Sequence, residues 1–113
     1  MAVADHQAPT HPGLLLRDSV LPDLHLSVSQ AARDLAVTRQ TLHRILSGNA
    51  AITAEMAARL ERFCGLASEF WLERQYRHEL HRVKAQLAPI LSHIPFHPLS
   101  AATMQQIGGR GAL

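Results

Sequence analysis

The stretch LAVTRQTLHRILSG, residues 35–48, decides how this chain folds. It opens on an apolar plug, Leu35, and a two-residue turn, Ala36-Val37. Thr38 is of the type that caps a helix N-terminus, because its hydroxyl accepts a bond from an orphan backbone N–H. The spacing predicts a helix over residues 39–47. Gly48 ends it, since glycine takes the left-handed conformation of a C′ residue without steric cost. Only Leu42, Ile45 and Leu46 anchor that helix. Its other side chains, Thr38, Arg39, Gln40, Thr41, His43, Arg44 and Ser47, make a polar face with cationic charge and no carboxylate.

Working upstream, Ser27 reads as an N-cap with Gln30 as its capping-box partner three residues on. The helix it starts buries Val28, Ala31, Ala32 and Leu35. Ala32 is small where the two helices have to cross, and Val37 plugs the turn. Two short helices joined by a tight turn form a helix-turn-helix. The outer face of the second helix suits a DNA major groove: arginine reads guanine, glutamine reads adenine, and threonine or serine serves phosphates. The N-terminus of that helix also favours a phosphate. The plainer alternative is a solvated face in an ordinary helical bundle. Ala36 counts against the DNA reading, because a turn of this kind prefers glycine where φ is positive.

The rest of the chain divides around this unit. Residues 1–11 read as a flexible N-terminal arm. Pro12 suits a first helical turn, and Leu14, Leu15 and Leu16 lead a short helix to about Val20, closed by Pro22. Thr53 caps a helix over residues 54–64, with Met56, Ala57, Leu60 and Phe63 on one face, and Gly65 stops it. Ser68 caps the longest helix, striped by Leu72, Tyr76, Leu80, Val83 and Leu87. Pro89 limits it. Residues 12–88 are therefore the expected domain, and residues 89–113 a tail that is disordered or loosely docked. The fold class is all-α, with five helices.

Composition narrows the function classes. At 113 residues and 47% hydrophobic residues the chain suits one globular domain. A net charge of +2 is too small to imply nucleic-acid binding by itself. The local absence of acid in residues 38–52 says more. One cysteine, Cys64, forms no internal disulfide and fits a reducing cytoplasm. The opening MAVADHQAPTHP lacks the apolar core of a signal peptide. No apolar run approaches the roughly 20 residues of a membrane span. These features point to a cytoplasmic protein without a membrane segment.

Catalytic and metal chemistry find little support. His78 and His81 lie three apart, where the zincin pattern needs four. His93 and His97 flank Pro95 without a third ligand at a recognisable spacing, so no metal or other cofactor is expected. Cys64 stands at a helix C-terminus, which does not lower a thiol pKa. With no phosphate loop and no nucleophile elbow, the chain is not expected to be an enzyme.

The sequence resembles the HigA/VapI group of antitoxins, within the Xre-like helix-turn-helix class. The resemblance is carried in order by His11-Pro12-Gly13, Leu16-Arg17, Leu21, residues 26–53, Glu55-Met56-Ala57, Arg59-Leu60, and SEFWLERQ at residues 68–75, including Phe70-Trp71-Leu72. It covers about two-thirds of the chain. Leu14 stands where the group has an acid, Ala36 replaces the turn glycine, and the tail has no counterpart. The resemblance implies a lambda-repressor-like domain. It also implies an antitoxin that neutralises a HigB-like mRNA-cleaving toxin and, as a homodimer, binds palindromic operator DNA and represses its own operon. The alternative is a stand-alone Xre-family regulator without a toxin. Trp71 is expected in the core. Tyr76, Leu80, Val83 and Leu87 are the candidate dimer contacts.

Overall fold

Residues 8–111 are described by a computed structural model, and among them there is no strand. The first helical path is built in three parts: α1 (Pro12–Leu15), a π-helical stretch (Leu16–Val20) and α2 (Leu21–Leu24). Pro22 does not close the helix as expected. In the π stretch the Leu21 N–H donates to the Leu16 carbonyl, five residues back. That shift places Pro22 in the first turn of α2, where its missing N–H has no partner to lose. The path ends at His25, which lies in the left-handed region.

Helices α3 (Val28–Leu35) and α4 (Arg39–Leu46) follow, then α5 (Ala54–Cys64). Their starts obey the expected chemistry. Ser27 Oγ accepts from the Gln30 N–H at 3.1 Å, Thr38 Oγ1 from Thr41 at 3.0 Å and Thr53 Oγ1 from Met56 at 3.2 Å. The capping box at Ser27 is one-sided, because the Gln30 side chain turns to Asp34 and Arg33 instead.

Helix α6 (Ser68–Leu91) departs from expectation at both ends. Ser68 is its first residue and not its cap. The Ser68 N–H donates to Glu61 Oε1 at 2.6 Å, so a carboxylate from α5 replaces the local hydroxyl. Hydrogen bonding from Ser68, its backbone N–H first, holds the Glu61 carboxyl below the usual carboxylate range. Pro89 lies inside the helix instead of ending it at residue 88. Only the last turn follows it, so the helix forfeits one backbone bond near an end that frays anyway. The expected tail also contains α7 (Ala101–Ile107), capped by Ser100. Helix α7 buries no residue.

The core gathers Leu16 and Leu21 from the first path, Ala31, Ala32 and Leu35 from α3, and Leu42, Ile45 and Leu46 from α4. Ile52, Met56, Ala57, Leu60 and Trp71 complete it. Trp71 is fully buried, as expected of a large aromatic anchor. Of the N-terminal arm, residues 1–7 lie outside the described residues. His11, at its inner end, is buried within the folded unit, so the arm does not extend that far.

Candidate nucleic-acid interface

The start of α4 follows from residues 35–48, where Thr38 caps the helix through the Thr41 N–H. Val37 packs against the core beside the turn. Ala36 adopts φ 57 and ψ 43, the left-handed conformation that glycine takes freely. For alanine this costs about 1–2 kcal/mol. Arg59 stabilises the turn from α5: its Nη1 donates to the Leu35 carbonyl at 2.9 Å and the Ala36 carbonyl at 3.2 Å. Glu55 holds the same guanidinium through Nε and Nη2. Arg59 carried no such role in the sequence reading. An arginine one turn after a glutamate looks like a surface pair.

The far end of α4 is held by the His11-Pro12-Gly13 segment. A Cβ on Gly13 would lie 1.8 Å from the Ile45 carbonyl oxygen, so only glycine lets α1 approach α4 this closely. His11 Nδ1 accepts from the Gly13 N–H at 2.9 Å and fixes the first turn. The His11 ring meets His78 edge-on at 5.1 Å between centroids. Burial first, and the neighbouring His78 second, hold the His11 pKa below the ordinary histidine value. From α6, Gln75 Oε1 accepts from the Ile52 N–H at 2.8 Å and pins the loop that follows α4. Gln75 is buried, yet its polar type gave no sign of that role in the sequence.

With both ends fixed, Thr38, Arg39, Gln40, Thr41, His43, Arg44 and Ser47 are all exposed on one side of α4. Leu42, Ile45 and Leu46 are buried on the other. The hydroxyls are not equally free. Thr38 spends its proton on Thr41 Oγ1 at 2.8 Å, which leaves the Thr41 proton for a phosphate. Ser47 donates to the Arg44 carbonyl at 3.0 Å. Arg39, Arg44 and Gln40 form no side-chain bond among the described residues and can present their full donor sets outward.

The candidate dimer residues are exposed within the single chain, Tyr76 at 64% and Leu80 at 51%. His78 Nδ1 lies 2.9 Å from the Pro9 carbonyl, and His81 is exposed. Among the described residues no group of three metal-ligating side chains comes together, and no helix is long and apolar enough to cross a membrane. Cys64 Sγ donates to the Leu60 carbonyl at 3.3 Å and packs against the core.

A rigid two-helix unit with a polar, cationic outer helix defines a helix-turn-helix protein of the DNA-binding type. The helix-turn-helix family pattern matches residues 22–72. The chain is 39% identical over 89 residues to virulence-associated protein A′ of Dichelobacter nodosus, covering 78% of this chain and 76% of that one. It is 38% identical over 72 residues to an HTH-type transcriptional regulator of Haemophilus influenzae, covering 64% and 67%. Among solved structures, the Pseudomonas aeruginosa antitoxin HigA with the higBA promoter superposes with a TM-score of 0.73 at 33% identity. That match covers 81% of this chain and 99% of that one. The chain belongs to the HigA/VapI group of the Xre-like helix-turn-helix family. This is a family of DNA-binding proteins and not a known enzyme family.

Proposed function

We propose that the protein is an antitoxin and autorepressor. It binds and neutralises a HigB-like mRNA-cleaving toxin. As a homodimer it binds palindromic operator DNA through α4 and represses its own operon, in the cytoplasm. The observation that carries the reading is the outer face of α4: seven exposed polar side chains, without a carboxylate, on a helix held at both ends. Arg39, Gln40 and Arg44 are the base readers in this reading. Thr41 and the first N–H groups of α4 hold phosphates, with Thr38, His43 and Ser47 at the rim. A HigA structure with promoter DNA supports the operator part.

Arg39→Ala and Arg44→Ala each weaken operator binding by about 1–3 kcal/mol if they pair with guanine. A uniform loss across sequences with a shallower salt slope marks phosphate contacts instead. Unchanged affinity in both variants removes these residues from the interface.

The Haemophilus relative, named only as a transcriptional regulator, favours a second reading: a stand-alone repressor without a toxin. A growth test separates the two. The small open reading frame adjacent to the gene is expressed with and without this protein, and the pair is co-purified. Toxicity relieved by this chain, with a stable complex, establishes the antitoxin. A harmless neighbour and no complex leave the stand-alone regulator.

A further inference from the structure

His11 ties the first helix to the end of α4. The residue is buried, at 6% exposure. Its Nδ1 accepts from the Gly13 N–H at 2.9 Å. A backbone N–H can only donate, so Nδ1 carries no proton and the ring is neutral, with its proton on Nε2. Gly13 in turn lies against the Ile45 carbonyl, where an added Cβ would come within 1.8 Å. The same carbonyl accepts from the Gly48 N–H at 3.0 Å. A Cβ on Gly48 would lie 3.7 Å from His11 Cγ, so the ring also packs beside the turn that ends α4. One imidazole thus holds α1, and α1 holds the last turn of the reading helix.

Proton uptake is incompatible with this arrangement. A second proton goes to Nδ1, where it faces the Gly13 N–H with no lone pair left to accept from it. The buried N–H loses its partner, and a charge enters a buried ring. The surrounding groups do not compensate. From α6, His78 meets the ring edge-on at 5.1 Å, and Glu79 and Arg82 border the same polar cleft. Asp18 of the π stretch and Arg74 of α6 border a second cleft beside His11. The loop that follows α4 brings Gly48, Asn49, Ala50 and Ala51 to the ring and no charge. Both acids are engaged elsewhere: Glu79 accepts from Gln75 Nε2 at 2.9 Å and Asp18 from Arg17 Nε at 2.7 Å. The Ala50 backbone and Glu79 favour a charged ring, but burial first and His78 second outweigh them.

We propose that neutral His11 is a positioning residue that latches the far end of α4, and that protonating it opens the latch and weakens operator binding. The inference rests on the operator part of the proposed function and adds a regulation to it. The latch is fully closed above the ordinary histidine pKa and opens as pH falls from there through the lower folded value.

The test measures affinity for a duplex of the sequence upstream of the gene, at pH 7.5 and 5.5 and fixed ionic strength. His43, exposed on the reading face, gains attraction for phosphate as pH falls, so the latch is read as a difference between variants. His11→Asn keeps an acceptor for the Gly13 N–H and takes up no proton. Wild type is expected to lose about 5-fold more affinity than His11→Asn over this interval. His11→Ala lacks the acceptor and is expected to bind more weakly than His11→Asn already at pH 7.5. Equal pH slopes in wild type and His11→Asn overturn the proposal, and so does a folded His11→Ala chain that binds as tightly as wild type at pH 7.5. The latch is also followed without DNA by NMR. The amides of Gly13, Gly48 and Asn49 are expected to shift with the His11 titration in wild type and not in His11→Asn. Amides that ignore the titration overturn the latch and leave operator binding standing. Amides that follow it, in a chain that binds the duplex at neither pH, overturn the operator reading and the coupling to DNA with it.

Discussion

Helix α4 and the second half of α6 are both amphipathic helices, and the chain treats them in opposite ways. The apolar side of α4 is used inside the molecule, with Leu42 fully buried and Ile45 and Leu46 beside it. Its polar side is left free. In the second half of α6 the apolar side is the one left free, and the core face of the helix stops at His78. A helix that buries its apolar stripe at home displays a rigid polar surface. A helix that leaves the stripe exposed displays an apolar surface of the kind that marks an interaction site.

The largest expected effect breaks or keeps this contrast directly. Leu42→Ala removes a fully buried side chain and is expected to cost about 2–5 kcal/mol in denaturant unfolding. Leu87→Ala, measured at a concentration where the chain is monomeric, is expected to cost less than about 0.5 kcal/mol. Equal costs would mean that the α6 stripe is covered within the monomer. Next comes Gly13→Ala, where the added methyl meets the Ile45 backbone. A loss of about 1–3 kcal/mol is expected, together with weaker operator binding, because the clash displaces the end of α4. Native stability in that variant would show that α1 is not tightly seated on α4.

Smaller effects sharpen the picture. Ala36→Gly relieves a left-handed alanine and is expected to stabilise the fold by up to about 1 kcal/mol. A loss instead would mean that the bonds from Arg59 depend on the alanine conformation. The smallest effect is a pH slope at His11. Its folded pKa lies below its unfolded value, so between the two the unfolded chain binds more protons. Its contribution is full above the ordinary histidine pKa and is lost as pH falls from there through the lower folded pKa. Thermal unfolding at pH 7.5 and 5.5 checks the sign, and His11→Gln is expected to flatten the difference.

Much of the reading unit was legible in the sequence. Capping is a local exchange between a side chain and an N–H three residues on, so Ser27, Thr38 and Thr53 announced α3, α4 and α5 directly. The misreadings have separate causes. Pro22 and Pro89 read as stops because the local rule knows only the α-helical bond pattern. A π turn accommodates the first, and the frayed last turn of α6 tolerates the second. Ser68 read as a cap because Glu61, which supplies the bond, comes from another helix.

The sequence by itself determined the helix-turn-helix, the polar composition of its outer face and the apolar stripe of α6, because periodicity and capping act within a few residues. Only the tertiary structure decided what holds that face in place. The Gly13 contact with Ile45, the Arg59 bonds to the turn and the Gln75 bond to Ile52 join residues far apart in the chain. No local pattern encodes such contacts, since they exist only once the helices have packed and brought distant backbone groups within bonding reach.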